Sequence, residues 1–223
     1  INALYYCPVE DRIFDGEGGL NDLSQKKLVF IGDAESKIQE DPVRIIRGIR
    51  QSHQFGLEIS DELNDLFKKY AHKIDLSSKS RLIEEINKIF GCGHCFEVFQ
   101  KLIELGIFFY SFPQFYLFMK EEFALTENNI NMTAILKEVD GIVKKHGKMR
   151  ESILFGALCS PHVLREEGDI WNNNAFSIEL IERIEVKFKE IWIELTLKKW
   201  AKRKILDMFL SQWRFIFPKD KRI

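Results

Sequence analysis

The chain has 223 residues, of which 45% are hydrophobic and 30% are charged, a composition that excludes an intrinsically disordered protein. A formal net charge of -1 excludes a uniformly basic nucleic-acid-binding protein, so any basic surface has to be local. Four cysteines in a chain of this length and the lack of an apolar run of about 18 residues argue against a disulfide scaffold and a membrane span, and a cytoplasmic location is expected.

Short β elements are predicted only near the start of the chain. Ala3–Pro8 and Arg12–Asp15 are predicted as the two strands of a hairpin, and Leu28–Ile31 as a further short strand beyond a glycine-rich break. So few strands do not form a stable sheet by themselves. Because the chain also begins with Ile1 rather than Met, we expect that an N-terminal portion carrying a larger sheet precedes it.

From Asp41 onwards the apolar residues recur with the period of helices. Asp41-Pro42 is typical of a helix start, an acidic N-cap followed by proline, and Phe55-Gly56 of its end. Later helices are predicted to begin at Ser60, Ser78 and Cys95. More are predicted at Ile130–Lys145, Lys148–Leu158, Ser177–Leu197 and Lys199–Phe215, with an apolar stretch at Phe115–Phe123 and a loop at Ser160–Ala175. The predicted fold is mainly α, a small β portion followed by a helical bundle.

The last 37 residues are strongly basic. Eleven Lys and Arg stand against four Asp and Glu between Lys187 and Ile223, a net charge of +7. Such a segment can bind a polyanion. It can equally be a lysine-rich helix face in contact with water, and the residues alone favour this second interpretation.

Three arginines recur every three residues in the predicted helix after Asp41. Arg44, Arg47 and Arg50 rise by about 4.5 Å per step, and their planar forks match phosphate oxygens better than lysine does. A carboxylate at Asp41 beside the donors of Arg44 could pair with the edge of adenine or cytosine. The alternative is a capping Asp and a solvated arginine face. Gly48 costs this helix about 1 kcal/mol relative to alanine, which indicates close approach to the backbone.

Two other motifs are interpreted as structural. Cys92-Gly93-His94-Cys95 has the spacing of a redox dithiol, but a helix rather than a strand is predicted before it, so a turn between two helices is favoured over a redox or zinc site. The aromatic run Phe108–Pro113 is favoured as part of the core over a surface that stacks on RNA bases.

Consecutive motifs of this sequence resemble those of the class II template-independent RNA nucleotidyltransferases. The motifs are Ile1–Tyr6, Gly18–Leu23, Ile31–Asp33, Glu40–Arg50 and Arg81–Glu85. They occur in the family's order and lie within residues 1–118. The family contains bacterial poly(A) polymerases and CCA-adding tRNA nucleotidyltransferases, and Leu4-Tyr5-Tyr6 together with the Glu40–Arg44 motif is more similar to the poly(A) polymerases.

The resemblance implies a set of site residues. Asp41 and Arg44 are expected to contact the base edge, Arg47 and Arg50 to help hold the nucleotide, and Asn2 to lie beside the ribose and triphosphate. Three further residues are expected to support this arrangement: Glu40, Arg81 and Glu85. The implied domains are the end of a catalytic head at 1–33, a nucleotide-recognising helical neck at 34–118, and a helical body and tail at 119–223 with an RNA-binding role.

The sequence departs from the family's pattern in two ways. The Asp-x-Asp pair that binds Mg²⁺ is absent, as is the Arg-Arg-Asp expected just before Ile1, so the metal would bind through residues outside this chain and the chain alone is expected not to catalyse transfer. Gln51-Ser52-His53 replaces the usual Phe-Ala-Ala, and Ala34, Lys37 and Gln39 replace Pro, Arg and Arg. The packing after Arg50 is therefore in question.

The expected activity of the parent protein is the addition of AMP from ATP to RNA 3′ ends without a template. The alternatives are CCA addition to tRNA and a non-catalytic RNA-binding helical module. ATP and an RNA 3′ end are the expected partners. No membrane is expected, and a monomer is compatible with the sequence.

Overall fold

The computed structural model describes residues 4–113, 116–117, 132–147, 149–150, 152–157, 182–183, 185–186, 199–200 and 202–207. The chain forms two compact units, a first unit of Ile1–Glu85 and Glu97–Ser111 and a second unit of Ile86–Phe96 and Phe112–Ile223. The described residues are mainly α-helical and contain a single sheet of two strands, which confirms the predicted fold class. The division into 1–33, 34–118 and 119–223 stays a prediction.

A β-hairpin opens the first unit, as predicted. Strand β1 (Leu4–Cys7) pairs antiparallel with β2 (Arg12–Asp15), with Leu4 opposite Asp15. Asp11, in the turn, has a φ of 46° and accepts a hydrogen bond of 2.7 Å from the hydroxyl of Tyr6. The turn is thus fixed by a side chain of the hairpin itself.

A short helix that was not predicted follows the hairpin. Helix α1 (Gly19–Ser24) begins where the glycines were expected only to break the chain. The Asp15 carboxylate accepts the N–H groups of Gly19 at 2.8 Å and Leu20 at 2.9 Å, and these bonds lower its pKa. An acid at the end of β2 therefore satisfies the free amides at the start of α1.

The predicted strand at Leu28–Ile31 is wrong. An isolated parallel bridge joins Lys27 to Glu58 instead, and the Leu28 N–H donates to the Glu58 carbonyl at 2.9 Å. The segment has the composition of a strand, but among the described residues this bridge is its only β pairing, and one bridge does not make a strand.

Helices α2 and α3 meet at Asp41. Helix α2 (Ala34–Glu40), which was not predicted, begins at Asp33, whose carboxylate accepts the Ser36 N–H at 2.7 Å. Helix α3 (Val43–Phe55) ends at Gly56 with a φ of 63°. The expectation that the Asp41 side chain caps α3 is wrong, because Pro42 holds the cap position without a side-chain bond and Asp41 is extended, with φ −147° and ψ 90°.

The remaining helices follow the predicted starts closely, except for a short helix at Ile107–Ser111 that was not predicted. Ser60 caps α4 (Asp61–Tyr70) by accepting the Leu63 N–H at 3.2 Å. A 3₁₀ turn at Ala71–Leu76 follows. The helices that follow α4 are, in chain order, α5 (Lys79–Phe90), α6 (Cys95–Glu104), α7 (Ile107–Ser111) and α8 (Met132–His146). Residues 152–157 and 202–207 are helical. Most of the apolar stretch at Phe115–Phe123, most of the predicted helix at Ser177–Leu197 and the predicted loop at Ser160–Ala175 lie outside the described residues.

The core of the first unit is built from the apolar faces of α3 to α6. Ile49, Phe67 and Phe99 are fully buried, and the Phe99 and Phe108 rings stack with centroids 5.1 Å apart. The structure therefore places Phe108 in the core, as predicted for the aromatic run, whereas Phe109 is half exposed.

In the second unit a buried carboxylate holds the start of α6. Asp140 of α8 accepts the N–H of Cys95 at 2.6 Å and that of Phe96 at 3.0 Å, and the Cys95 thiol donates to the Leu136 carbonyl at 3.4 Å. Cys92 and Cys95 are not joined to each other by a disulfide. The motif is thus a turn between α5 and α6, as predicted. Within the described ranges, no helix is both long and apolar enough to cross a membrane.

Gly48 makes room for core side chains. A Cβ added there would lie 3.2 Å from Phe67 Cζ and 3.4 Å from Leu28 Cδ2. The close approach indicated by the sequence is therefore made by packing within the first unit.

Two alanine substitutions in helices should have opposite effects on stability. Gly48→Ala crowds Phe67, so we expect a loss of about 1 kcal/mol after the gain in helix propensity is included. Gly141→Ala, where a Cβ of α8 meets nothing within 4 Å, should gain about 0.5–1 kcal/mol. Urea unfolding followed by circular dichroism measures both, and stabilisation by Gly48→Ala would contradict the packing account.

Candidate functional site

A cavity of about 460 Å³ lies in the first unit. One face of α3 lines it, together with residues from α1, the segment after α1, the end of α2 and the start of α5. Its charged lining residues are five cations, Lys27, Lys37, Arg44, Arg47 and Arg81, and three carboxylates, Glu17, Asp22 and Asp41. The lining set has a net positive charge, which suits an anionic ligand.

Asp41 is the most constrained carboxylate of the lining. Its Oδ2 accepts a 2.6 Å bond from Arg81 Nη2 and lies 3.7 Å from Arg44 Nε. Its Oδ1 is buried and has no hydrogen-bond partner among the described residues. Buried polar oxygens nearly always have a partner, so this one needs an explanation.

Arg44 lies close to two carboxylates, those of Glu40 and Asp41, and also lines the cavity. Its Nη2 lies 3.5 Å from Glu40 Oε2, which in turn accepts a 3.1 Å bond from Lys37. Glu40 is 58% exposed and does not line the cavity, whereas Arg44 and Lys37 do. The structure thus brings Glu40 beside Arg44 and outside the cavity.

A single buried carboxylate holds the other two arginines. Glu85 of α5 is 2% exposed. Its Oε1 accepts from Arg47 Nε at 3.3 Å and Nη2 at 3.1 Å, and its Oε2 accepts from Arg50 Nε at 3.3 Å and Nη2 at 3.2 Å. Arg50 also donates to Gln54 at 3.0 Å.

The three arginines therefore do not form one exposed row. Arg47 lines the cavity, but Arg50 does not and is only 11% exposed. Each step of three residues turns back by about 60° around a helix, so Arg50 lies about 120° away from Arg44 and reaches Glu85. The apolar residues that recur with the helical period in α3, Val43, Ile46 and Ile49, are buried.

The position of α2, which ends at Asp41, is fixed by contacts with α4. Glu35 accepts hydrogen bonds from Lys69, at 2.6 Å, and from the hydroxyl of Tyr70. These bonds lower the pKa of Glu35. Gln39 donates to the same hydroxyl at 3.0 Å. These contacts help to place the break in the chain at which Asp41 lies.

Some of the predicted residues cannot be placed at the cavity. Asn2 lies outside the described residues, and the nucleotide contact predicted for Arg50 stays a prediction. Sequence reasoning did not include Gln51, which lines the cavity next to Arg47 and Gly48. The sequence did contain a signal for this position. Gln51 follows Arg44 by seven residues, and seven residues bring a helix back to within about 20° of the same direction, so the two side chains share one face of α3.

The described residues do not provide a metal site. They contain no group of three His, Cys, Asp or Glu side chains placed to hold a metal ion. The resemblance implies Mg²⁺ bound through residues outside this chain, and the described residues supply no ligand group for it.

Parts of the chain are similar to known proteins. A family model described as "Probable RNA and SrmB- binding site of polymerase A" matches residues 56–118. Poly(A) polymerase I of Salmonella typhi is 29% identical over 158 residues, 71% of this chain and 34% of that protein. A CCA-adding enzyme of Bacillus cytotoxicus is 28% identical over 131 residues, 59% of this chain and 32% of that protein.

One solved structure, "Structure of tRNA-processing enzyme with CTP", is 17% identical with a TM-score of 0.45 and covers 98% of this chain and 65% of its own. The chain spans about a third of the length of the two curated relatives. The chain is thus similar to nucleotidyltransferases, among them poly(A) polymerases and CCA-adding enzymes, over about a third of their length.

Proposed function

We propose that this chain selects the nucleotide and holds the RNA for template-independent addition of AMP from ATP to RNA 3′ ends. The observation that carries the proposal is Asp41, whose Oδ2 is held by Arg81 while its buried Oδ1 lacks a partner beside a cationic cavity. A base that donates a hydrogen bond would supply that partner.

The pair of Asp41 and Arg44 matches one kind of base edge. Adenine and cytosine each present an amino group that donates and a ring nitrogen that accepts. A carboxylate can take the amino proton while a guanidinium donates to the ring nitrogen. Guanine and uracil present a carbonyl and a ring N–H on the same side, the opposite pattern. The pair therefore favours A and C over G and U.

The triphosphate would be held by the remaining cations. Arg47 lines the same cavity one turn further along α3, and Lys27 and Lys37 lie in the lining as well. Because Glu85 fixes the Nε and Nη2 of Arg47, only its outer side faces the cavity, and this fixes the direction in which it can donate. The phosphates are then expected along α3 beyond the base.

RNA binding is supported by two features outside the cavity. The matched family model covers α4 to α7, and the family is described by a probable RNA-binding site. The basic segment between Lys187 and Ile223 has a net charge of +7. In its described part, Lys202, Arg203 and Lys204 are exposed, whereas Ile205 and Leu206 are buried. These cations are available to RNA phosphates.

CCA addition to tRNA is the second candidate, since the matched relatives include CCA-adding enzymes at nearly the same identity. The test is to incubate the full-length gene product with a generic RNA, or with a tRNA lacking its 3′ end, and each nucleotide in turn. We expect long A tails on both RNAs. Three nucleotides added to the tRNA alone would replace the first proposal by CCA addition, and RNA binding without incorporation would leave a non-catalytic module.

A further inference from the structure

Two neighbouring aromatic rings of α7 are exposed to solvent. Phe109 is 50% exposed and Tyr110 is 39% exposed, whereas Phe108, the residue before them, is buried and stacks on Phe99. The ring centroids of Phe109 and Tyr110 lie 5.5 Å apart, with the ring planes at 76°. In this T-shaped arrangement the edge of one ring meets the face of the other, so the two rings do not cover each other as a stacked pair would. The aromatic run thus contributes Phe108 to the core and presents the next two rings at the surface.

A lysine-rich segment lies next to this helix. Helix α7 packs against the 3₁₀ turn at Ala71–Leu76, which belongs to the same unit. From residue 68 to residue 79 the chain carries one carboxylate and four lysines, a net charge of +3: Asp75, Lys68, Lys69, Lys73 and Lys79. Lys69 is held by Glu35 at 2.6 Å, but Lys68 and Lys73 form no ion pair with another described residue. The exposed rings therefore neighbour a segment of positive charge.

The combination of exposed rings and lysines fits single-stranded RNA. An unpaired base offers a flat face that stacks on an aromatic ring, and the phosphates of the same strand bind ammonium groups. Helix α7 contains no charged residue, which suits an uncharged base, whereas the lysines of the neighbouring segment suit phosphates. A base inside a duplex is already stacked between its neighbours and does not offer its face to a protein ring.

We propose that Phe109 and Tyr110 stack on bases of single-stranded RNA while Lys68 and Lys73 bind its phosphates. Both the rings and the lysines lie within residues 56–118, the range matched by the family model with a probable RNA-binding site. None of the four residues lines the nucleotide cavity. This inference rests on the proposed function, because it takes the chain to hold RNA, and it gives α7 a contact that is separate from recognition of the nucleotide.

The test measures binding of a fluorescein-labelled oligo(A) RNA of about 15 nucleotides to the full chain by fluorescence anisotropy. Phe109→Leu with Tyr110→Leu keeps apolar side chains but removes the aromatic faces. We expect its affinity to fall about 5- to 150-fold, the effect of losing one stacked base. The exchange Phe109→Tyr with Tyr110→Phe keeps both aromatic faces and should bind the RNA as tightly as the unchanged chain. The matched control is Phe55→Leu, because Phe55 is 51% exposed and lies at the end of α3 outside the cavity lining; its affinity should be unchanged.

The salt dependence of binding separates the rings from the lysines. The logarithm of the affinity falls with the logarithm of the salt concentration in proportion to the number of phosphates that the protein neutralises. The double leucine variant removes no charge, so it should leave this slope unchanged. Lys68→Ala with Lys73→Ala removes two cations and should reduce the slope by about 1.4, the value for two contacts to a single strand.

Three results would contradict the stacking contact. Unchanged RNA affinity in the double leucine variant would exclude it and leave the exposed rings to a protein partner. An equal loss of affinity for a blunt RNA duplex would show that the rings do not act on unpaired bases. A wild-type chain that binds no RNA would remove RNA holding from the proposed function, and the stacking contact with it. Circular dichroism melting checks the fold of each variant, and the single variant Phe109→Leu repeats the comparison with Phe55→Leu if the double variant misfolds.

Discussion

Glu85→Ala is expected to lower the free energy of unfolding of the first unit by about 3 kcal/mol, the lower end of the cost of breaking a buried ion pair. The carboxylate is 2% exposed and binds two arginines at once. Without it, Arg50, which is 11% exposed, keeps a buried charge for which the described residues supply only the Gln54 oxygen as an acceptor. Arg47 is 37% exposed and can turn to water, so its share of the loss is smaller.

Urea unfolding of Glu85→Ala and of a matched surface variant measures this effect. Glu104 pairs with Lys101 at 3.2 Å but is 61% exposed, so Glu104→Ala should change stability by less than about 0.5 kcal/mol. Equal effects of the two variants would show that burial of Glu85 does not matter. Glu85→Gln keeps the shape of the side chain and loses its charge. Its loss of unfolding free energy should lie between those of Glu85→Ala and Glu104→Ala.

The double variant Asp41→Ala with Arg44→Ala is expected to lose the preference of the chain for ATP over UTP. A base edge recognised by two matched hydrogen bonds is discriminated by about 1–3 kcal/mol, so the preference should fall by about 5- to 150-fold. Competition titration of ATP against UTP measures the ratio directly. Arg44→Lys keeps the charge but not the fork, and should lose part of the preference while retaining triphosphate binding.

A charge-matched control accompanies this variant. Lys101→Ala with Glu104→Ala also removes one cation and one carboxylate from the first unit, at a pair outside the cavity lining. It should leave the ratio of ATP to UTP affinity unchanged. If Asp41 and Arg44 can be removed without changing that ratio, base recognition lies elsewhere.

The helices could be predicted where the signal is local. The cap at Ser60, the exit at Gly56 and the apolar stripe of α3 were predicted from neighbouring residues, because caps and periodicity act within a turn or two. Helices α1 and α2 have 6 and 7 residues, too short for a period to be recognised. Leu28–Ile31 has strand composition, but a strand requires a partner that composition does not specify.

In the candidate site, too, local sequence patterns could not specify contacts between residues that are distant in the chain. The composition of the Glu40–Arg50 motif predicted a cationic, ligand-binding helix face, and Asp41, Arg44 and Arg47 do line one cavity. Which arginine faces the cavity was decided by Glu85, which lies 35 residues beyond Arg50. Gln51 appeared in the sequence only as an unusual packing residue. Long-range pairing with Glu85 decides which arginine faces the cavity, whereas the helical period alone places Gln51 in nearly the same direction as Arg44.

Asp41 also has a consequence for the entropy of binding. Its backbone lies at the break between two helices, and its Oδ2 is held by Arg81 before any ligand arrives. The rotational freedom of this side chain is therefore lost when the protein folds and not when a ligand binds. A group that reaches Oδ1 forms its hydrogen bond without an ordering cost at that residue, so even a small base can be selected by few contacts.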